Sequence, residues 1–443
     1  MLNKSLFHIY MKIDGYDLDK SQKFINDINN LDVKSFFEWQ NEQKNKIFNY
    51  HIENNNFYKN KINFKKNMTW ESIPLIKKED FQIDIEKVIS NYKKINELYL
   101  GNTSGSSGHP FYFVKNKKAH SLSWALIIDR LKKIGISYPS MQARFFGIPL
   151  DNKLSLIKER IKDRIKKRYR FPLFDLSDRN LKMFYNRFFK IKFKFMWGYT
   201  NTLRDFAIYI KKNNLNSLKE ICHSLDCCIP TSEMLTSEDR SLLENSFGIP
   251  CYQEYGASEF GSIAFENKKK NMILSNETLF IEIVDENGKN LGLDNIGKIV
   301  ITDLFNYSMP FIRYDIGDRG SLTLDENSNT VLKALEGREN DTIILPSGKK
   351  SPGLTFYYIS RSILEQSAGI IKEFIIKQIK LDTFVFVIKS NTDLDQKIID
   401  DIKNKMDIYL EPNLNLIIKK VKKIDRNKNG KIKHFFSLIN NEK

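Results

Sequence analysis

The segment TSGSSGHP, Thr103 to Pro110, packs four hydroxyls and two glycines into eight residues directly after a strand-like run. Hydroxyls and backbone N–H groups donate to phosphate oxygens, and Gly105 and Gly108 let the backbone approach an anion closely. The loop has neither Walker A nor GxGxxG spacing, and taken alone it reads as a flexible Ser/Gly surface segment. Two further stretches carry carboxylates beside glycines. YQEYGASEFGS at 252–262 presents Glu259 after a small-residue turn, and RYDIGDRG at 313–320 sets Asp315 and Asp318 on either side of Gly317. Carboxylates suit magnesium and ribose hydroxyls, although each stretch alone is equally turn chemistry. EGRENDTI at 336–343 and DRNKNGKIKHF at 425–435 complete the series, the latter placing Lys431 just after a glycine turn. A lysine in that setting ordinarily sits in water.

The elements that must position these residues follow from periodicity. Apolar residues between Val33 and Ile62 recur at helical spacing, and WESIPLIKKED at 70–80 reads as a connector. ELYLGNTSGSSGHPFYFVK at 97–115 reads as strand, loop, strand. Residues 119–134 and 151–169 read as helices, the second with a basic face that could lie on an anionic surface but reads first as solvated. Short apolar runs alternate with helical segments from 143 onward and give way to LFIEIVDENGKNLG and GKIVITDL, with DENG at 285–288 as a hairpin turn. The pattern restarts after residue 345 as two paired strands, a helix and a strand, a compact α+β unit. The expected fold is α/β, with a large multi-subdomain region at 1–339 and a small C-terminal α+β domain at 340–443.

With 443 residues, 41% hydrophobic and 28% charged, the chain buries a core, which excludes disordered and collagen-like classes. Lys and Arg number 71 against 54 Asp and Glu, and the resulting +17 attracts nucleic acid, anionic lipid or phosphorylated small molecules without choosing among them. The excess is spread along the chain, and no basic motif of a nucleic-acid reader occurs, so none is expected as a partner. No apolar run is long enough to span a bilayer and no signal-peptide core opens the sequence, so a cytoplasmic protein is expected. Cys222, His223, Cys227 and Cys228, with Cys251 nearby, could hold a structural zinc ion, but LDCCIP also reads as a buried strand. Trp197 and Tyr199 either pack core or line a pocket.

The order of the motifs, a Ser/Gly loop, YGASE, RYDIGD, GRENDTI and a late NGK, resembles the adenylate-forming superfamily of acyl-CoA synthetases, adenylation domains and luciferases. The resemblance is nearest to the phenylacetate-CoA ligase branch and its CapK-like proteins of polysaccharide gene clusters. WESIPLIKKED, FMWGYTNTLRDFAIYI at 195–210 and TSEMLTSEDRSLLENSFGIP at 231–250 extend it from about residue 35 to the C-terminus.

That resemblance implies a large adenylation domain and a mobile lid, with ATP, Mg²⁺ and coenzyme A as cofactors. Thr103, Ser104, Gly105, Ser106, Ser107 and Gly108 would hold the triphosphate, and Ser232, Glu233, Tyr255 and Gly256 would line the adenine side. Glu259 would bind Mg²⁺ with Ser258 at the phosphate, Asp318 would bind ribose supported by Arg338, and Asn340 would lie at the hinge. Lys431 would be the mobile catalytic lysine. His109 stands where many relatives carry lysine, and Asn340 where many carry aspartate. The implied reaction joins a small carboxylic acid to AMP, releases pyrophosphate and passes the acyl group to coenzyme A. Transfer to an amine or hydroxyl of a sugar or metabolite, or a catalytically silent scaffold, are the alternatives.

Overall fold

The structure is a computed structural model that describes residues 6–90, 97–103, 111–146, 153–173, 175–233, 235–336, 342–352, 355–356, 359, 371–390, 394–421 and 435–439. The chain divides into two compact units. The first takes the described residues of Met1–Thr103, Phe111–Pro139 and Tyr252–Gly337, and the second those of Ser140–Cys251 and Arg338–Lys443.

In the first unit, alternating runs such as LFIEIV and GKIVITD form an antiparallel meander. Its strand order is Leu279–Val284, Gly297–Asp303, Tyr314–Leu324, Thr330–Glu336, Met272–Leu274, Gly261–Glu266 and Glu254–Ala257. One face collects Ile281, Ile283, Ile299, Ile301, Leu322 and Leu332 with Phe81, Phe111 and Phe311 into a core. Each such side chain contributes about 1.5–3 kcal/mol by leaving water. The helices Leu18–Asn29, Val33–Asn54 and Lys117–Lys133 begin at Asp17, Asp32 and Asn116, whose side chains accept from backbone N–H groups of the first turn. WESIPLIKKED is more than a connector: within it Ile76–Lys77 pairs in parallel with Tyr314 and Asp315. DENG turns at Asp285–Gly288 as expected and closes an antiparallel bridge between Val284 and Asn290; the longer strand that pairs with Leu279–Val284 starts further on, at Gly297.

The second unit holds a parallel sheet ordered Arg168–Arg170, Gln142–Phe145, Phe195–Tyr199 and Cys227–Thr231. Ala143, Phe145, Met196 and Cys228 share one face and pack on Phe184, Phe188, Leu203 and Phe206 of the covering helices. The basic helix expected over 151–169 stops at Ile165, and Arg168–Arg170 is a strand. Arg168 and Arg170 on that strand pair with Glu159 and Asp163 of the helix. The same unit carries a separate four-stranded sheet, ordered Asn415–Val421, Thr383–Ser390, Ile371–Lys380 and Phe435–Ser437, with the helix Gln396–Tyr409 against it.

Candidate functional site

The motif YGASE lies on the strand Glu254–Ala257 and the turn after it, and RYDIGD opens the strand Tyr314–Leu324. Both strands break register where the motifs sit. Val300 pairs with Asp315 and Lys298 with Arg319, so Ile316, Gly317 and Asp318 bulge out opposite Ile299 alone. Gly317 takes a φ of +81° in that bulge, and the Asp315 carboxylate accepts from its N–H at 2.9 Å, the turn role its sequence suggested. Asp318 is thereby carried out of the ladder, and its Oδ2 accepts from the Tyr255 hydroxyl at 2.9 Å. A second irregularity falls between Tyr255 and Gly256, where a Cβ on Gly256 would lie 2.8 Å from the Gly261 carbonyl oxygen. Backbone packing alone therefore demands glycine at 256.

Glu259 is buried at 6% exposure, while its neighbour Ser258 is exposed. The Tyr314 hydroxyl donates to Glu259 Oε1 at 3.3 Å. Tyr314 cannot swing away readily, because its ring packs at 5.2 Å from Phe311, 5.7 Å from Phe260 and 6.0 Å from Phe81. Behind this pair lies Lys115, whose ammonium is 3.6 Å from Asp303 with both side chains almost fully buried. Burial pulls the Lys115 amine below its usual range, opposed by Asp303 and by the field of Glu259. Asp303 in turn accepts from the backbone N–H groups of Phe305 and Asn306. Arg313, fully buried, donates to the carbonyls of Glu71, Ile73 and Gly288 and pairs with Glu282 at 3.4 Å, bracing the strand that carries Asp318. Thr103 ends the strand Tyr99–Thr103, paired with Phe111. Tyr314, Lys115, Asp303 and Arg313 had no reading in the sequence; RYD offered a signal for two of them only through adjacency to Asp315.

In the second unit Ser232 and Glu233 follow the strand Cys227–Thr231. Ser232 holds a φ of +68°, and Glu233 is 8% exposed. The Glu233 carboxylate accepts from the Asn201 backbone N–H at 2.8 Å and from Asn201 Nδ2 at 3.0 Å. It thus caps the helix Thr200–Lys212, whose own Ncap residue Tyr199 supplies no side-chain bond. Burial raises the Glu233 carboxyl to about 7, against the lowering effect of Asn201 and Arg204. Ser104, Gly105, Ser106, Ser107, Gly108, Arg338, Asn340 and Lys431 lie outside the described residues.

The zinc possibility does not take shape: among the described residues no three His, Cys, Asp or Glu side chains converge to hold a metal. Cys227 and Cys228 are neighbours on one strand and so point to opposite faces, while Cys222 Sγ bonds the carbonyls of Ile191 and Phe193. All five residues of Cys227–Thr231 are buried, the strand alternative. Trp197 is likewise buried, stacked beside the Arg144 guanidinium at 4.7 Å. Among the described residues no helix is long and apolar enough to cross a membrane.

An antiparallel meander, a parallel layer and a small separate C-terminal sheet make this the fold of the adenylate-forming ligases. Structures of 2-hydroxyisobutyryl-CoA ligase superpose over 92% of this chain: one in complex with 2-HIB-AMP and CoA in the thioesterification state has TM-score 0.60, 15% identity and 90% of that chain covered. An open conformation with the same ligands gives TM-score 0.57, 14% identity and 92% of that chain covered. In sequence the chain is similar to Protein CapK of Staphylococcus aureus, 27% identical over 433 residues, 93% of this chain and 91% of CapK. No protein-family model matches the chain.

Proposed function

We propose that the protein activates a small carboxylic acid with ATP, forming an acyl-adenylate and pyrophosphate, and then passes the acyl group to coenzyme A. The observation that supports this most directly is that the bulge at Ile316–Asp318 and the turn after Glu254–Ala257 gather Asp318, Tyr255, Glu259 and Tyr314 into one half-buried polar edge of the first unit. Asp318, oriented by Tyr255, is the acceptor for a ribose hydroxyl pair. Glu259, steadied by Tyr314 and backed by the Lys115 cation, is the carboxylate for a magnesium ion whose other ligands are phosphate oxygens and water. Such an ion supplies charge neutralisation at the α-phosphate and at the departing pyrophosphate. The fit is in the donor set: one enclosed carboxylate beside exposed hydroxyl chemistry at Ser258, rather than a protein-only cage.

In this reading the Ser/Gly loop from Thr103 to Gly108 cradles the triphosphate, and Arg338 supports Asp318. Ser232 and Glu233 shape the adenine side with backbone atoms, because the Glu233 carboxylate is engaged by Asn201. Lys431 enters for adenylation from a lid spanning about 340–443 and withdraws for the second nucleophile, so one site serves two reactions. A cytoplasmic setting belongs to the reading, since ATP and a thiol are its co-substrates.

The test is a mass-spectrometric assay of the purified protein with MgATP, coenzyme A and a panel of aryl, fatty, hydroxy and amino acids. AMP with a new thioester is the expected result. AMP without a thioester moves the acceptor to an amine or hydroxyl. Lys431→Ala should abolish acyl-adenylate formation yet leave thioester formation from supplied acyl-adenylate largely intact; equal loss of both steps removes Lys431 from the assigned role.

A further inference from the structure

The helix Asp178–Lys190 packs Leu181, Phe184, Tyr185 and Phe188 into the core of the second unit. At 100° per residue Arg179, Lys182, Met183, Asn186, Arg187, Phe189 and Lys190 fall on one outward arc, with the exposed Asp178 and the half-buried Asn180 at its two edges. A shallow groove of about 310 Å³ runs along that arc, lined by six of these residues, four of them cationic and none acidic. Phe189 is 60% exposed and Met183 38% exposed, so the cationic face carries two apolar side chains in water.

Several other cations of this unit are paired within it. Lys162 pairs with Glu159, Arg168 and Arg170 with Asp163, Lys194 and Lys219 with Asp226, and Lys212 with Asp178. Among the described residues none of Arg179, Lys182, Arg187 and Lys190 has a carboxylate within ion-pair distance; Arg187 lies instead over the Tyr169 ring at 5.5 Å. Four clustered cations on one exposed face make a local positive potential that attracts an external anion.

We propose that this face docks the protein on an anionic phospholipid surface, with the helix axis in the membrane plane. A helix of 13 residues is about 20 Å long and presents its whole outward arc at once to a flat partner. Lys and Arg reach headgroup phosphates through their apolar stems, while Phe189 and Met183 enter the boundary with the acyl chains. That combination of cations with aliphatic and aromatic side chains, on a convex helix and without a deep cleft, matches a lipid surface better than the grooved electrostatic track of a nucleic-acid channel. The chain's excess of basic residues supports the approach at long range. The inference stands independently of the adenylation reading.

The experiment is co-sedimentation of the full-length protein with phosphatidylcholine vesicles and with vesicles also containing phosphatidylglycerol. Binding is expected only to the anionic vesicles and should weaken as salt rises. The variant R179Q/K182Q/R187Q/K190Q should lose more than tenfold in partitioning, and F189A/M183A should lose several-fold, with the loss persisting at high salt. A control that removes the same charge elsewhere, K34Q/K46Q/K65Q/K66Q, should bind nearly as the parent does. Equal loss in the control reduces the effect to net charge and overturns the proposal. So does unchanged binding of the fourfold variant, or loss in that variant of single-stranded RNA binding while vesicle binding persists. All substituted side chains are at the surface, and circular dichroism checks that each variant is folded.

Discussion

Glu259 and Glu233 are almost equally buried, at 6% and 8% exposure, yet they sit in opposite chemical situations. Both oxygens of Glu233 are engaged by Asn201 at a helix N-terminus, a backbone-capping geometry that a ligand could enter only by displacing the cap. Glu259 faces a tyrosine hydroxyl at the long end of hydrogen-bond distance, beside an exposed serine and in the field of a buried lysine. A buried carboxylate is thus no mark of a reactive site by itself. The surroundings differ: Glu233 is committed to a helix cap, whereas Glu259 lies in the turn after a strand, beside an exposed serine.

Three substitutions press on that contrast. Glu259→Gln should cost about a hundredfold in adenylation rate, the scale of losing one charge-stabilising group, with the required magnesium concentration rising. Unchanged kinetics across a magnesium titration would remove the distinction from Glu233. Glu233→Gln should act on stability instead. The folded carboxyl is raised to about 7 from 4.5, so the folded state holds the proton more tightly and stability falls as pH rises from about 4.5 to about 7, then levels off. That slope integrates to about 3 kcal/mol at 1.36 kcal/mol for each unit of pKa. In the Gln variant the slope should vanish in denaturant titrations across this pH range, with magnesium dependence unaltered. The smallest effect belongs to Tyr314→Phe, which removes one hydrogen bond worth about 1 kcal/mol. A few-fold rise in the magnesium requirement is expected, while a loss matching Glu259→Gln would make the hydroxyl a direct participant.

The same contrast explains what was legible beforehand. Period-two runs such as TFVFVIKS and LFIEIV announce strands because one face is buried, and the structure pairs them as anticipated. The apolar spacing of Leu154, Ile157, Ile161 and Ile165 reads as one helix through residue 169, whereas the chain leaves the helix after Ile165, takes a left-handed turn at Lys167 with a φ of +50°, and runs on as the strand Arg168–Arg170. Asp318 and Glu259 were readable as carboxylates beside glycines. The orienting roles of their hydroxyls are not legible in the sequence: Tyr255 enters it only as a residue lining the adenine side, and Tyr314 resembles any core aromatic until the register break is known. Lys115 and Asp303 lie far apart in sequence, and no local pattern joins them.

Arg313 has a consequence for how the molecule is made. Its guanidinium bonds the Glu71 carbonyl across a separation of 242 residues. At about 5–20 residues per second, a ribosome takes on the order of tens of seconds to deliver Arg313 after Glu71 has emerged. Throughout that interval the segment Trp70–Lys77 has no parallel strand to join, and the aromatic side chains beside it stay open to solvent. Vectorial synthesis therefore leaves the nascent first unit waiting on its own C-terminal third, a period in which chaperone capture competes with folding.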